Sequence, residues 1–359
     1  MDALNPLRQR IDEIDDEILR LLTERAEIVL EVGRIKNTHQ APLHVPEREA
    51  AILKRLMDNN PGPFPQAAVK SVFKEIISHC LNMEGPIRIA YLGPEATYTH
   101  LAARHFFGSG CTFVPCESIP EVVAACHKGQ ATYGIVPVEN STEGSVVQTL
   151  DEVAASELHV CGEVIERIHH CLLSREESLE KVTRVHAHPQ AFAQCREWLR
   201  AHLPSARLEP AASNALAASR VANEPGGAAI AARVAADVYE LNVLAEHIED
   251  NPSNRTRFWV FGGAPRKAGG NDKTSVLLSV KDEAGSLYEA LSAFQRHGIS
   301  LSKIESRPSK MRPWEYLFFI DVAGHPGDAH IQAALAEVEH HCLWAKVLGG
   351  YPVADEPEI

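Results

Sequence analysis

Residues 4–38, LNPLRQRIDEIDDEILRLLTERAEIVLEVGRIKNT, decide how the chain begins to fold. Leu4, Leu7, Ile11, Ile14, Ile18, Leu21, Ile28, Val32 and Ile35 recur in alternating steps of three and four. That is a heptad seam, and it predicts one long helix from about Pro6 to Thr38. The seam has one defect, Arg25. A cation on a packed seam is expensive unless something anionic meets it. Lys36 lies eleven residues on, about 20° around the helix and roughly 16 Å along it, so both side chains lean toward one point between them. Arg8 sits about 100° from that face and would reach the same site more naturally from a partner helix. A buried Arg paired with a neighbouring Glu or Asp is the structural alternative. Three cations converging on one cavity fit a dicarboxylate ligand better.

Outward from that helix, Pro46 opens EREAAILKRLMDNN, a second helix that starts with Arg48 and Glu49 beside the cationic site. Gln66 to Met83 predicts a third. Three helices of such unequal length cannot bury a helix of roughly 50 Å, which implies a dimer that exchanges the long helix. Linker-like stretches near Glu84-Gly85-Pro86 and Ala268-Gly269-Gly270-Asn271 divide the chain into 1–84, 86–264 and 272–350. Residues 86–264 alternate apolar strands with helices, an α/β pattern with a largely parallel sheet. Residues 272–350 read β-α-β-β-α-β, the ferredoxin-like plan.

The 359 residues carry a net charge of −13. An acidic chain without a basic block is a poor partner for nucleic acid or an anionic membrane. No apolar run reaches the roughly 18–20 residues of a membrane span. The start, MDALNPLRQRIDEID, lacks the basic and apolar regions of a secretory signal, so a cytoplasmic protein is expected. Eight scattered cysteines with no CxxC pair suit free thiols in a reducing compartment. His169-His170 and His340-His341 are adjacent pairs whose rings point apart in regular structure, so no metal site is expected.

Three polar turns in 86–264 stand at strand ends, the edge where open α/β sheets bind ligands. They are Gly93-Pro94-Glu95-Ala96-Thr97-Tyr98-Thr99, Pro137-Val138-Glu139-Asn140-Ser141-Thr142-Glu143-Gly144-Ser145 and Asn254-Arg255-Thr256-Arg257-Phe258. Each alone could be ordinary helix capping; three facing one crevice suit an anion. In 272–350, Glu283-Ala284-Gly285-Ser286-Leu287-Tyr288 follows the first strand and Glu305-Ser306-Arg307-Pro308 ends the second.

These residues carry a resemblance over the whole length. Residues 1–84 resemble the small helical chorismate mutases. Residues 86–350 resemble prephenate dehydratase, with its two-lobed periplasmic-binding-protein-like fold and its ACT regulatory domain. The order of the parts matches the fused bacterial chorismate mutase–prephenate dehydratase family. The resemblance implies that Arg8 (from the partner), Arg25, Lys36 and Arg48 hold the carboxylates and ether oxygen of chorismate, and that Glu49 binds its ring hydroxyl. Glu84 stands where some relatives place a glutamine that donates to the ether oxygen, a task that requires a protonated carboxyl. Val45 stands where relatives can carry an acid.

GPEATYT, PVENSTEGSV and NRTRF are similar to the dehydratase motifs. They imply that Thr256 assists loss of the prephenate hydroxyl, that Arg257 neutralises a carboxylate, and that Thr97, Glu139, Asn140, Ser141 and Ser213 line the cleft. Ala96 replaces a glycine usual in the first turn and would be strained at positive φ; Asn214 replaces a threonine. Gly285, Ser286 and Leu287 with Glu305, Ser306, Arg307 and Pro308 resemble the phenylalanine-binding motifs of ACT domains, which implies feedback inhibition and a dimer or larger homo-oligomer. No cofactor is implied. The nearest rival keeps the dehydratase and makes 1–84 a dimerisation arm. A two-lobed binding protein without catalysis would have no need of the TRF threonine.

Overall fold

The computed structural model describes residues 4–39, 41–309 and 315–355. It divides into two compact units, residues 1–88 with 107–112, and 89–106 with 113–359. The first unit holds α1 (Asn5–Thr38), α2 (Pro46–Asp58) and α3 (Gln66–Glu84). Pro6 starts α1, where a missing N–H costs nothing. The seam is real but uncovered: Leu7, Ile11, Ile14, Ile18, Ile28 and Ile35 are all exposed, Ile28 by 57%. Gly33 is the one buried residue of α1 among those described. A Cβ there would stand 2.9 Å from Glu84 Cα, so Gly33 lets α3 end against α1.

The second unit begins with β1 (Arg88–Leu92), α4 (Tyr98–Phe107), β2 (Thr112–Cys116), α5 (Ile119–His127), β3 (Tyr133–Asn140), β4 (Gly144–Ser145), α6 (Val147–Ala155) and β5 (Val160–Arg167). It continues with β6 (Cys171–Ser174), β7 (Arg184–Ala187), α7 (Pro189–Gln194), α8 (Arg196–His202), β8 (Arg207–Pro210), α9 (Asn214–Val221), β9 (Gly227–Ala231), α10 (Val234–Tyr239), β10 (Asn242–Ala245) and β11 (Arg255–Gly262). The C-terminal elements are β12 (Asp272–Val280), α11 (Ser286–Arg296), β13 (Leu301–Pro308), β14 (Tyr316–Ala323), α12 (Ala329–His341) and β15 (Cys342–Pro352).

Among the described residues, the expected largely parallel sheet is two mixed sheets. One runs β2-β1-β3-β11-β5 with β4 on β3, the other β10-β6-β9-β7-β8. β1–β3, β7–β8 and β7–β9 are parallel, whereas β11 is antiparallel to both neighbours. The chain therefore crosses between lobes twice, at 168–170 and at 246–254. The crossings lie side by side, with Ile168 N donating to Asn254 O and Ile248 N to His170 O. The C-terminal sheet, β13-β14-β12-β15, packs on the first lobe through Trp259, Val160, Leu277, Phe319 and Tyr351. A Cβ at Gly349 would stand 1.9 Å from Val160 O, so these two layers touch backbone to backbone.

Candidate active sites

A cavity of about 820 Å³ in the helical unit is lined by Arg25, Lys36, Arg48, Glu49, Arg55 and Glu84 over an apolar floor including Ile28, Val32, Phe73 and Ile77. Arg25 Nη1 is buried there with no hydrogen-bond partner. A buried guanidinium N–H without an acceptor is costly, and an anionic oxygen would relieve it. Lys36 Nζ donates to Glu84 Oε2 at 2.6 Å and to Leu43 O at 2.7 Å. Glu49 Oε2 lies 3.3 Å from His44 Nε2. Arg8 is exposed and outside this cavity.

The second cavity, about 440 Å³, lies between the two lobes of the α/β unit. Thr97, Asn140, Thr256 and Phe258 line it from one lobe, His188, Gln190, Ser213 and Asn214 from the other, and His170 from a crossing. Among the described residues, none in its lining is Lys, Arg, Asp or Glu. Asn140 Oδ1 accepts from the amides of Thr142 (3.0 Å) and Glu143 (3.1 Å), which turns its Nδ2 toward Thr256 Oγ1 and Asn254 Oδ1, both at 2.9 Å. Since Thr256 Oγ1 accepts from Asn140, its own proton remains to donate. Ser213 caps α9, accepting from Leu216 N at 3.1 Å. Thr97 Oγ1 donates to Leu92 O or Pro94 O, both at 3.0 Å, and shapes the turn before α4. Ala96 has φ +66°, the left-handed conformation its glycine-like position requires. Its N–H donates to His100 Nδ1 at 3.2 Å. Burial holds His100 below its ordinary value, with Arg104 assisting and Glu95 opposing.

A third cavity, about 560 Å³, is lined by Gly285, Ser286, Leu287, Tyr288, Glu315 and Phe318. Gly285 caps α11 at φ +93°, again a left-handed position.

Against known proteins, residues 7–85 match the family model Chorismate mutase type II, 89–266 match Prephenate dehydratase, and 274–340 match ACT domain. The bifunctional chorismate mutase/prephenate dehydratase of Aquifex aeolicus is 45% identical over 358 residues, 99% of each chain. That of Neisseria gonorrhoeae is 46% identical over 356 residues, 98% of each. The chain belongs to this bifunctional family. It is an enzyme of phenylalanine biosynthesis with mutase and dehydratase segments and an ACT domain. A solved prephenate dehydratase from Arthrobacter aurescens, in complex with L-Phe, is 36% identical with a TM-score of 0.70. That match covers 76% of this chain and 92% of the other.

Set against the family's motifs, the helical cavity gathers Arg25, Lys36, Arg48, Glu49 and Glu84, while Arg8 stays apart. Sequence reading missed Arg55 in that lining and Gly33 beneath it; an isolated glycine between two seam positions was the available signal.

The dehydratase cleft needs three corrections. Glu139, Ser141 and Arg257 do not line it. In the β3–β11 ladder Thr256 pairs with Asn140 and Arg257 with Glu139, so the two pairs face opposite sides of the sheet. Arg257 donates to Glu163 Oε2 and Asp321 Oδ2, both at 2.6 Å, and to Tyr351 Oη at 3.0 Å. Burial disfavours its charge, but the Tyr351, Asp321 and Glu163 oxygens outweigh burial and hold it above its ordinary value. Glu139 accepts from Lys303 at 2.7 Å, and Ser141 Oγ from Arg255 N at 2.9 Å. His170 was missed as a lining residue. Its Nε2 lies 2.8 Å from Gln194 Oε1, and its Nδ1 is buried without a partner.

The ACT motifs also divide. Gly285–Leu287 line the third cavity, but Glu305, Ser306, Arg307 and Pro308 do not. Arg307 instead pairs with Asp151 Oδ1 at 2.8 Å on α6. Alternation along β13 turns Lys303, Glu305 and Arg307 to its partly buried face and Ile304, Ser306 and Pro308 to the exposed one.

Proposed function

We propose that the helical cavity performs the rearrangement of chorismate to prephenate, rather than serving only to join two chains. Arg25 Nη1, buried without a hydrogen-bond partner, carries this reading, because an arm built only for packing would have no use for it. A pericyclic rearrangement needs no acid, nucleophile or cofactor. It needs the reactant held compact and the developing charge on the ether oxygen met by a preorganised donor. Arg25, Lys36 and Arg48 hold carboxylates and ether oxygen, Glu49 binds the ring hydroxyl, and Glu84 donates when protonated. Arg8 enters from a partner whose α1 seam covers the exposed seam here, making a homodimer or higher homo-oligomer.

In the second cavity prephenate loses carboxylate and hydroxyl together. The C–C bond to the carboxyl breaks and CO₂ leaves. Its electron pair aromatises the ring as the C–O bond breaks, and the departing hydroxyl takes a proton to leave as water. Thr256, oriented by Asn140, hydrogen-bonds that hydroxyl. Ser213 and the first-turn amides of α4 and α9 receive the carboxylates in place of Arg257. Phenylalanine binds at Gly285, Ser286 and Leu287, and pairing of two copies brings Glu305, Ser306 and Pro308 toward it. We place the segment boundaries at 1–84, 86–264 and 272–350 and the enzyme in the cytoplasm. No helix among the described residues is long and apolar enough to cross a membrane.

Chorismate turnover, with prephenate and phenylpyruvate followed separately from pH 5 to 8 and with and without phenylalanine, tests this reading. Phenylpyruvate from chorismate alone is expected, suppressed by phenylalanine. Turnover of prephenate but not chorismate at every pH would leave 1–84 as a dimerisation arm.

A further inference from the structure

The two crossings between the lobes carry a side-chain cluster that neither reaction uses. His169 stands on the first crossing, and His247 and Glu249 on the second. His169 and His170 do point apart, as adjacent residues in extended chain should. His170 faces the dehydratase cavity, and His169 faces the second crossing. His169 Nδ1 lies 2.6 Å from Glu249 Oε1 and 3.1 Å from His247 Nδ1, and His247 Nδ1 lies 3.7 Å from Glu249 Oε1. Three ligand atoms of one ion thus meet within a sphere the size of a coordination shell. A tetrahedral zinc ion with bonds of about 2.0–2.1 Å sets its ligands about 3.3–3.5 Å apart, so the two spacings to His247 match within about 0.4 Å, and the hydrogen-bonded His169–Glu249 pair opens by about 0.8 Å as the ion enters.

Three further observations favour a built site. His247 is held at φ +54°, a left-handed conformation uncommon outside glycine, and it places the ring at right angles to His169 with centroids 4.5 Å apart. Glu249 is buried, and its second oxygen accepts from His170 N at 2.8 Å, the outer hydrogen bond that orients a ligating carboxylate. The His247 side chain is 65% exposed, so solvent reaches the fourth position.

We infer that His169, His247 and Glu249 bind one divalent transition-metal ion of the zinc class, which pins the two crossings together. Both rings ligate through Nδ1 and carry their proton on Nε2. Any proton that His169 Nδ1 shares with Glu249 is released as the ion enters. Two imidazoles and one carboxylate suit Zn²⁺ over Mg²⁺ or Ca²⁺, which favour all-oxygen shells. The site requires no dimer and stands whether or not the helical unit rearranges chorismate.

The test uses the full chain stripped with a chelator and titrated with Co²⁺ as a spectroscopic probe for zinc. One equivalent per chain is expected, with visible ligand-field bands and without the near-ultraviolet charge-transfer bands of thiolate ligands. His247→Asn tolerates the left-handed backbone and should weaken binding at least tenfold, as should Glu249→Gln. The exposed His247 position decides the matter should the Glu249 variant fail to fold. Unchanged affinity in His247→Asn, thiolate bands, or no binding at micromolar Co²⁺ would each overturn the site.

Discussion

The two cavities proposed as active sites are built on opposite electrostatic principles. The helical one is lined by Arg25, Lys36, Arg48 and Arg55 together with Glu24, Glu49 and Glu84; among the described residues, the α/β one has no Lys, Arg, Asp or Glu in its lining. The chemistry explains the contrast. A rearrangement keeps both carboxylates of its substrate, so cations can grip them from start to finish. A decarboxylation must let one carboxylate go as neutral CO₂, and a guanidinium clamped to it would hold the reactant back. Neutral hydroxyls, amides and helix starts bind an anion without that penalty.

Several variants can break or sharpen this contrast. Thr256→Ala should lower dehydratase turnover about 10²- to 10⁴-fold and leave mutase turnover intact. Thr256→Ser should retain more, and equal losses in Ala and Ser would argue against a hydroxyl role. Arg25→Gln is the reciprocal case, with mutase turnover down about 10²- to 10³-fold and dehydratase turnover unchanged. Separate assays on chorismate and prephenate read both.

Arg257→Leu separates structure from chemistry. Removing a buried partner of Glu163 and Asp321 should destabilise the α/β unit by about 3–5 kcal/mol in denaturant titrations. Prephenate turnover by the folded fraction should remain within an order of magnitude of wild type. A KM for prephenate raised a hundredfold would return Arg257 to the substrate.

Glu84→Gln gives the helical cavity a standing donor for the ether oxygen and should hold or raise mutase turnover, read on chorismate. The α/β unit carries a pH dependence of its own. His100 has its folded value held below the ordinary 6.5, chiefly by burial. As pH falls through 6.5 the unfolded chain binds a proton that the folded chain resists, so stability falls; above 6.5 this contribution is fully regained. Thermal melts at pH 5 and 7 should show the loss, smaller in His100→Gln. The smallest effect concerns Ala96. Relief of its left-handed strain in Ala96→Gly should roughly offset the added chain entropy, leaving stability within about 1 kcal/mol of wild type.

What could be read from the chain was whatever local periodicity controls. The seam placed α1 within a residue of its ends and marked Arg25 as anomalous. TRF read as a strand start because its apolar run is short and punctuated. Side-chain facing was not legible, since it depends on register: only the pairing of Thr256 with Asn140 sends Arg257 to the far side. Strand β5 escaped notice because VCGEVIER carries Glu163 at its centre. That carboxylate is tolerated only because Arg257 and Lys273, remote in sequence, meet it. The split into two mixed sheets was hidden for a similar reason, as β6 and β10 are four-residue strands defined by partners rather than by pattern. Among the cleft positions, Thr97, Asn140, Ser213 and Thr256 share one cavity, while the equally polar Glu139 and Ser141 do not.

The uncovered seam of α1 has a consequence for genetics. When the cations of one pocket come from two chains, a defect belongs to a site and not to a polypeptide. In the proposed dimer, a chain carrying Arg8→Ala and a chain carrying Arg25→Ala should each lose mutase turnover when alone. Paired with one another, they place both lesions in one pocket and neither in its twin. Random re-pairing of the two would therefore restore about a quarter of wild-type mutase sites, the mark of intragenic complementation. The lining described for the dehydratase cavity comes from one chain, so the same pairing should give its turnover no such rescue.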